Sequence, residues 1–282
     1  MDYEIITDTG ANLSDEYILK NTIKIVPIFT IENGEEVTLT DKELYQKMRD
    51  GIHISTAAPS DTECKDIFEK VLKEGRDLLY LGFSSGLSAT FSVSKRVLDE
   101  LKQTYPNRQI YYVDSLSATL GQGRLFIEAL KMRNAGGDIK TVYDWLLTNV
   151  PKSCHLFTVE TLKYLHRGGR LNKSSYLIGS VLQIKPVMHV NNTGHLEPIG
   201  KVIGRRRSLN SIAEKVAESI EEPEKQTVYI VHGDCEEDAK YLAKQIENRI
   251  KVAGFEYSML NALIGAHAGP GTIAVFFAGK QR

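Results

Sequence analysis

Cysteine is scarce in this 282-residue sequence: there are three, at positions 64, 154 and 235. They are far apart and odd in number, which excludes a disulfide framework, offers no zinc cluster and points to a reducing compartment. Net charge is nearly absent too, at −1 from 35 basic and 36 acidic residues. The whole molecule therefore has no field to draw nucleic acid or an acidic membrane surface to it. No apolar run approaches the length needed to cross a bilayer, so no stable membrane insertion is expected. The opening "MDYEIITDTG" has an acidic residue at position 2 and only a short apolar run. It reads as a first strand, not a signal peptide, and a cytoplasmic protein is expected. Nucleotide and metal signatures are missing as well. There is no G-x-x-x-x-G-K-[ST], no G-x-G-x-x-G after a strand, and no H-E-x-x-H or zinc-spaced pair among the seven histidines. No cofactor is expected.

What is present is an ordinary globular composition, 42% hydrophobic and 25% charged, in a chain long enough for two domains. Short β-branched runs at 3–7, 23–29, 77–83 and 110–114 alternate with helical patterns in the first half. Strands separated by helices imply crossover connections and a mostly parallel sheet. Thr40 with Glu43, and Ser60 with Glu63, fit the capping-box spacing and predict helix starts. The second half reads differently. "KPVMHV", "NNTG" and "HLEPIGKV" predict an antiparallel hairpin, with amphipathic helices near 206–221 and 236–252 and further strands at "TVYIVHG", 255–260 and "GTIAVFFAG". The expected fold class is two α/β domains: residues 1–153 with a mostly parallel sheet, and residues 154–282 with a mixed or antiparallel one.

Four polar stretches, three of them glycine-rich, stand at the ends of apolar runs or helices: "ISTAAPSD", "GFSSGLSAT", "HRGGRLNKSS" and "IGAHAGPGT". Thr56 enters a helix in the first. Ser84, Ser85 and Ser88 crowd a strand-to-helix turn in the second, where free backbone N–H groups attract anions. Arg170 and Lys173 give the third a positive charge, and His267 sits between glycines in the fourth. Each has a bland reading as cap, turn or solvated loop; together they form a cradle for a carboxylate or phosphate. The helical-looking 176–184, apolar on nearly every side, is core or the wall of a cavity. Arg205, Arg206 and Arg207 stand at a helix start, against the helix dipole, unless they meet something anionic.

Gly82 to Gly86 also fits G-x-S-x-G, so a serine esterase is the alternative, with Ser84 as nucleophile, Asp114 as acid and His232 or His267 as base. Against it, residues 1–81 hold only four glycines, never adjacent, so no glycine-rich oxyanion loop precedes the serine. The motif also runs on through Ser88 and Thr90, more hydroxyls than a triad needs.

The set "DTGANL" at 8–13, "TAAPS" at 56–60, "SSGLSAT" at 84–90, "GGRL" at 168–171 and "GAHAGPGTIA" at 265–274 resembles the DegV family, in matching order over nearly the whole chain. The resemblance implies a lipid-binding carrier, not an enzyme. In it a long-chain fatty acid is buried between two α/β domains and presented to a separate fatty acid kinase for acyl-phosphate formation. It places the carboxylate on Thr56, on Ser88 with Ser85 as rival, and on Arg170 and His267. Lys173 and Arg205 to Arg207 are candidates for docking the kinase. Ala57 and Ala58 depart from the polar residues common in the family beside the threonine, and Ala89 from its S-G-T.

Overall fold

The computed structural model describes residues 3–171, 183–280 and 282. Lys173 and most of 176–184 lie outside them. Among the described residues the strands are β1 (Tyr3–Asp8), β2 (Ile25–Val26), β3 (Phe29–Glu32), β4 (Glu35–Val37), β5 (Ile54–Ala57), β6 (Asp77–Gly82) and β7 (Ile110–Asp114). There follow β8 (Ser153–Thr158), β9 (Ile184–Val190), β10 (Leu196–Ile203), β11 (Thr227–His232), β12 (Gly254–Met259) and β13 (Ile273–Ala278). The helices are α1 (Asp15–Asn21), α2 (Asp41–Arg49), α3 (Asp61–Lys73), α4 (Thr90–Thr104) and α5 (Leu120–Asn134). The rest are α6 (Ile139–Asn149), α7 (Lys163–Arg167), α8 (Arg205–Ser219), α9 (Glu236–Glu247) and α10 (Ala262–Ala268).

The chain forms two compact units, neither of them continuous. One comprises Met1–Phe29 with Ala57–Pro151, the other Thr30–Thr56 with Lys152–Arg282. The expected division after residue 153 lies close to the last crossing; the excursion of 30–56 is not in it. The cause is local. The apolar run at 23–29 was expected as one strand, but Pro27 has no N–H for a ladder and splits it into β2 and β3. Past the proline, β3 turns back on β4 through Asn33 and Gly34, with φ of 53° and 88°. Two positive φ values are what a two-residue I′ hairpin requires, and Asn-Gly supplies them.

In the first unit the strands run β2-β1-β6-β7, all parallel. Both faces are covered, so β1 is buried at every position. Ile6, Leu78 and Tyr80 pack with Phe68 of α3 and Leu98 of α4. Ile5, Leu79 and Leu81 pack on the other side with Phe126 of α5 and Leu146 of α6. The predicted caps form: Thr40 N–H donates to Glu43 Oε2 at 2.8 Å, and Ser60 N–H to Glu63 Oε2 at 2.7 Å.

In the second unit a six-stranded sheet runs β10-β9-β8-β13-β11-β12, antiparallel except for β11 with β12. The fold class is therefore α/β with one parallel and one mixed sheet. One face of the mixed sheet, through Leu156, Val187, Ile230 and Val275, packs with Ile212 of α8 and Leu242 of α9. The register places Phe157, Met188, Tyr229, Val231, Ala274 and Phe276 together on the opposite face, all buried. A smaller sheet, β4-β3-β5, completes the unit. No helix among the described residues is long and apolar enough to cross a membrane.

Candidate functional site

In the first unit the polar loops gather at the carboxyl ends of the parallel strands, around Asp8. Its carboxylate is fully buried at the end of β1 and accepts four hydrogen bonds. Tyr80 hydroxyl and Phe83 N–H donate to Oδ2, each at 2.7 Å; Gly10 N–H and Gln122 Nε2 donate to Oδ1 at 3.0 and 3.1 Å. Burial pushes the Asp8 carboxyl up to about 6, against the pull of these donors. Through Phe83, Asp8 fixes the start of the serine loop.

Ser88 is half-buried, its Oγ accepting Thr90 N–H at 3.2 Å and lying 2.9 Å from Thr90 Oγ1. Ser85 is exposed, its N–H donating to Asp114 Oδ1 at 3.3 Å. Ser84 does not fit a nucleophile. It is 0% exposed, and its Oγ accepts Gly86 N–H at 3.2 Å, whereas a nucleophile elbow must present its hydroxyl to substrate. The other esterase candidates are engaged by backbone too: Asp114 by Leu116 N–H at 2.9 Å, and His232 Nδ1 by Cys235 N–H at 3.3 Å.

The second unit brings Thr56, His267 and Arg170 together. Residues 30–56 do this by packing α2 against α10, the helix that carries His267. Gly265 lets them meet, since a Cβ there would lie 2.6 Å from Leu44 and 2.7 Å from the Tyr45 hydroxyl. Tyr45 hydroxyl donates to Leu260 O at 2.9 Å, and Asp41 Oδ1 accepts Ala262 N–H at 2.8 Å. With α10 held, Thr56 Oγ1 at the end of β5 lies 2.8 Å from His267 Nε2.

On the other side of the ring is the Gly168-Gly169 turn that follows α7. Gly168 has ordinary helical dihedrals, so its value is its missing side chain: a Cβ would lie 2.2 Å from His267 Nδ1. Arg170 follows, half-buried, with Nη1 donating to Gly168 O at 2.5 Å and burial pulling its guanidinium downward. Burial, then the charges of Arg170, His53 and Arg167, push His267 down to about 3, so its imidazole is neutral at pH 7. A neutral donor–acceptor pair among basic groups is suited to an anion and gives no strong base.

The structure thus places Thr56, His267 and Arg170 in one cluster, and Ser85 and Ser88 on the hydroxyl loop of the other unit. Reading the sequence for chemistry missed Asp8 and Gly168, although both lie inside the quoted motifs. Of the arginines at the start of α8, one meets the anion that its place against the helix dipole calls for. Arg205 Nε donates to Asp238 Oδ2 at 2.7 Å, and the Arg206 guanidinium lies 3.9 Å from the Tyr241 ring centre, so two of the three have partners within the fold. No group of three histidine, cysteine or acidic side chains is placed to hold a metal ion among the described residues.

A family model described as "Uncharacterised protein, DegV family" matches residues 2–280. The chain belongs to the DegV family. A DegV domain-containing protein of Clostridium perfringens is 38% identical over 286 residues, covering 99% of this chain and 98% of the relative. Among solved structures, a fatty acid binding DegV family protein of Streptococcus agalactiae is 26% identical with a TM-score of 0.86, each chain wholly covered. A DegV lipid binding protein of Thermotoga maritima, also 26% identical, has a TM-score of 0.85 over 100% of both chains.

Proposed function

We propose that this DegV protein is a carrier that binds a long-chain fatty acid and presents its carboxylate to a separate fatty acid kinase. The observation that carries the reading is the neutral Thr56–His267 pair with Arg170, Arg167 and His53 around it. Family membership and the lipid-binding relatives support it. Thr56 and Arg170 hold the carboxylate, His267 supports it through Thr56, and Ser88 and Ser85 are the hydroxyls that the sequence resemblance adds. The buried sheet face of Phe157, Met188, Tyr229, Val231, Ala274 and Phe276 matches an acyl chain in chemistry.

The two ends of such a ligand have separate tasks. Burying an acyl chain gains about 0.8 kcal/mol per methylene, on the order of 10 kcal/mol gross, much of it consumed by the costs of association. The tail supplies affinity. Charge-assisted hydrogen bonds offset the desolvation of the carboxylate and fix where it sits. Nothing in this arrangement transfers a phosphoryl group, which is why a partner kinase belongs to the reading.

Mass spectrometry of small molecules released from the purified, denatured protein tests it. A stoichiometric fatty acid is the expected result, with added fatty acid retained by the stripped protein. Arg170→Ala should weaken that binding roughly 10- to 100-fold, the usual worth of a hydrogen bond to a charged group, while the protein stays folded. An empty extract and no binding of added fatty acid would refute the carrier reading. Acyl phosphate formed from the loaded protein, ATP and a fatty acid kinase would establish presentation; none formed would remove that part.

A further inference from the structure

We infer that Gly168 selects the tautomer of His267: the ring carries its proton on Nε2 and donates it to Thr56 Oγ1, leaving the Thr56 hydroxyl proton free to be donated to the ligand. The 2.8 Å contact between Nε2 and Oγ1 fits either direction of hydrogen bonding, so the answer comes from the other ring nitrogen. Nδ1 is fully buried and has no hydrogen-bond partner among the described residues. What faces it is Gly168, so close that a Cβ on that residue would stand 2.2 Å away. A buried N–H directed at a CH2 group is left unsatisfied and is among the costlier defects of a folded chain. A bare lone pair there is tolerated, with the glycine CH2 as a weak partner. The Nε2–H form is favoured by at least about tenfold on that difference. The doubly protonated ring would also need an acceptor for Nδ1–H, and burial among basic groups disfavours it further.

The consequence reaches the ligand. Thr56 Oγ1 accepts from the imidazole, so its own proton must point elsewhere. A hydroxyl whose proton is free in this way matches a group that accepts, such as an ionised carboxylate. Gly168 and His267 are then positioning residues that act through Thr56. This part rests on the proposed carboxylate ligand; the tautomer does not.

Long-range proton–nitrogen correlation spectra of ligand-free protein labelled with 15N-histidine test the tautomer directly. The expected signature for His267 is a protonated Nε2 and a bare Nδ1 at neutral pH; the reverse assignment would overturn the inference. Binding of palmitate tests the consequence. Thr56→Val should lose at least about tenfold in palmitate affinity and Thr56→Ser should restore it. Undiminished palmitate affinity in Thr56→Val would overturn the donation from this hydroxyl to the ligand. If the Nε2–H signature is found and no fatty acid binds, the carrier reading fails and the tautomer stands. If palmitate binds and Nδ1 carries the proton, only the tautomer assignment fails.

Discussion

His267 and Asp8 are both buried, and they respond to pH in opposite senses. His267 has its folded-state value depressed to about 3 from an ordinary 6.5. The unfolded chain therefore binds the extra proton below pH 6.5 and the folded one does not. The stability that His267 contributes is fully present above 6.5 and is lost as pH falls toward 3. Between pH 6.5 and 4.5 that loss amounts to about 2 kcal/mol, so His267→Gln should show a shallower acid-side decline in urea midpoint than wild type. Asp8 is raised to about 6, so its contribution is present below the unfolded value and is lost as pH rises through 6. Comparing the variant with wild type cancels that opposing slope. Asp8→Ala removes the acceptor from four buried donors and should cost at least about 3 kcal/mol in unfolding free energy. Faster amide exchange at Phe83 would locate the damage. Thr56, Arg170 and His267 were legible as candidates because each lies in a polar stretch at the end of an apolar run or helix and in a motif that carries the family resemblance. Gly168 was not legible as a partner of His267, since it owes its place to a contact nearly a hundred positions away and not to its own backbone.

Elements were legible where periodicity was local. The alternation of β1, β6 and β7, the hairpin of β9 with β10 and both capping boxes follow from residues a few positions apart. The run at 23–29 misled because its composition is that of one strand while Pro27 allows two. Asn33-Gly34 was the local sign of the hairpin between β3 and β4, and what it could not reveal is which sheet lay beyond. That destination is decided by α2, whose Leu44 and Tyr45 fit only against a glycine of α10. A fragment of residues 154–282 keeps the mixed sheet with α8 and α9 but loses Leu44, Tyr45 and Asp41. We expect it to retain helical circular dichroism and to exchange the amides of 262–268 at least about tenfold faster than the full chain. Full protection of those amides in the fragment would show that α10 stands without α2.

At the level of the whole molecule, chain continuity and structural unit are different things. The polypeptide passes from one unit to the other after Phe29, after Thr56 and after Pro151. Sequence composition changes visibly only near the last of these, which is why a division into halves was the natural reading. The doubly covered parallel sheet and the mixed sheet could be read from element order alone. The pairing of Thr56 with His267 could not, because nothing local records which distant residue a loop threonine will meet.

That pairing spans 211 positions of sequence. On a ribosome adding roughly 5–20 residues per second, Thr56 waits on the order of 10–40 s for its histidine to be synthesised. During that interval the residues that build the first unit can emerge and fold, while 30–56 remain without the helix they clamp. The Thr56–His267 pair is thus among the last features that a nascent chain can complete. A prematurely terminated product therefore carries the threonine and the serine loop but no imidazole. On the carrier reading proposed above, such a product would not hold the fatty acid.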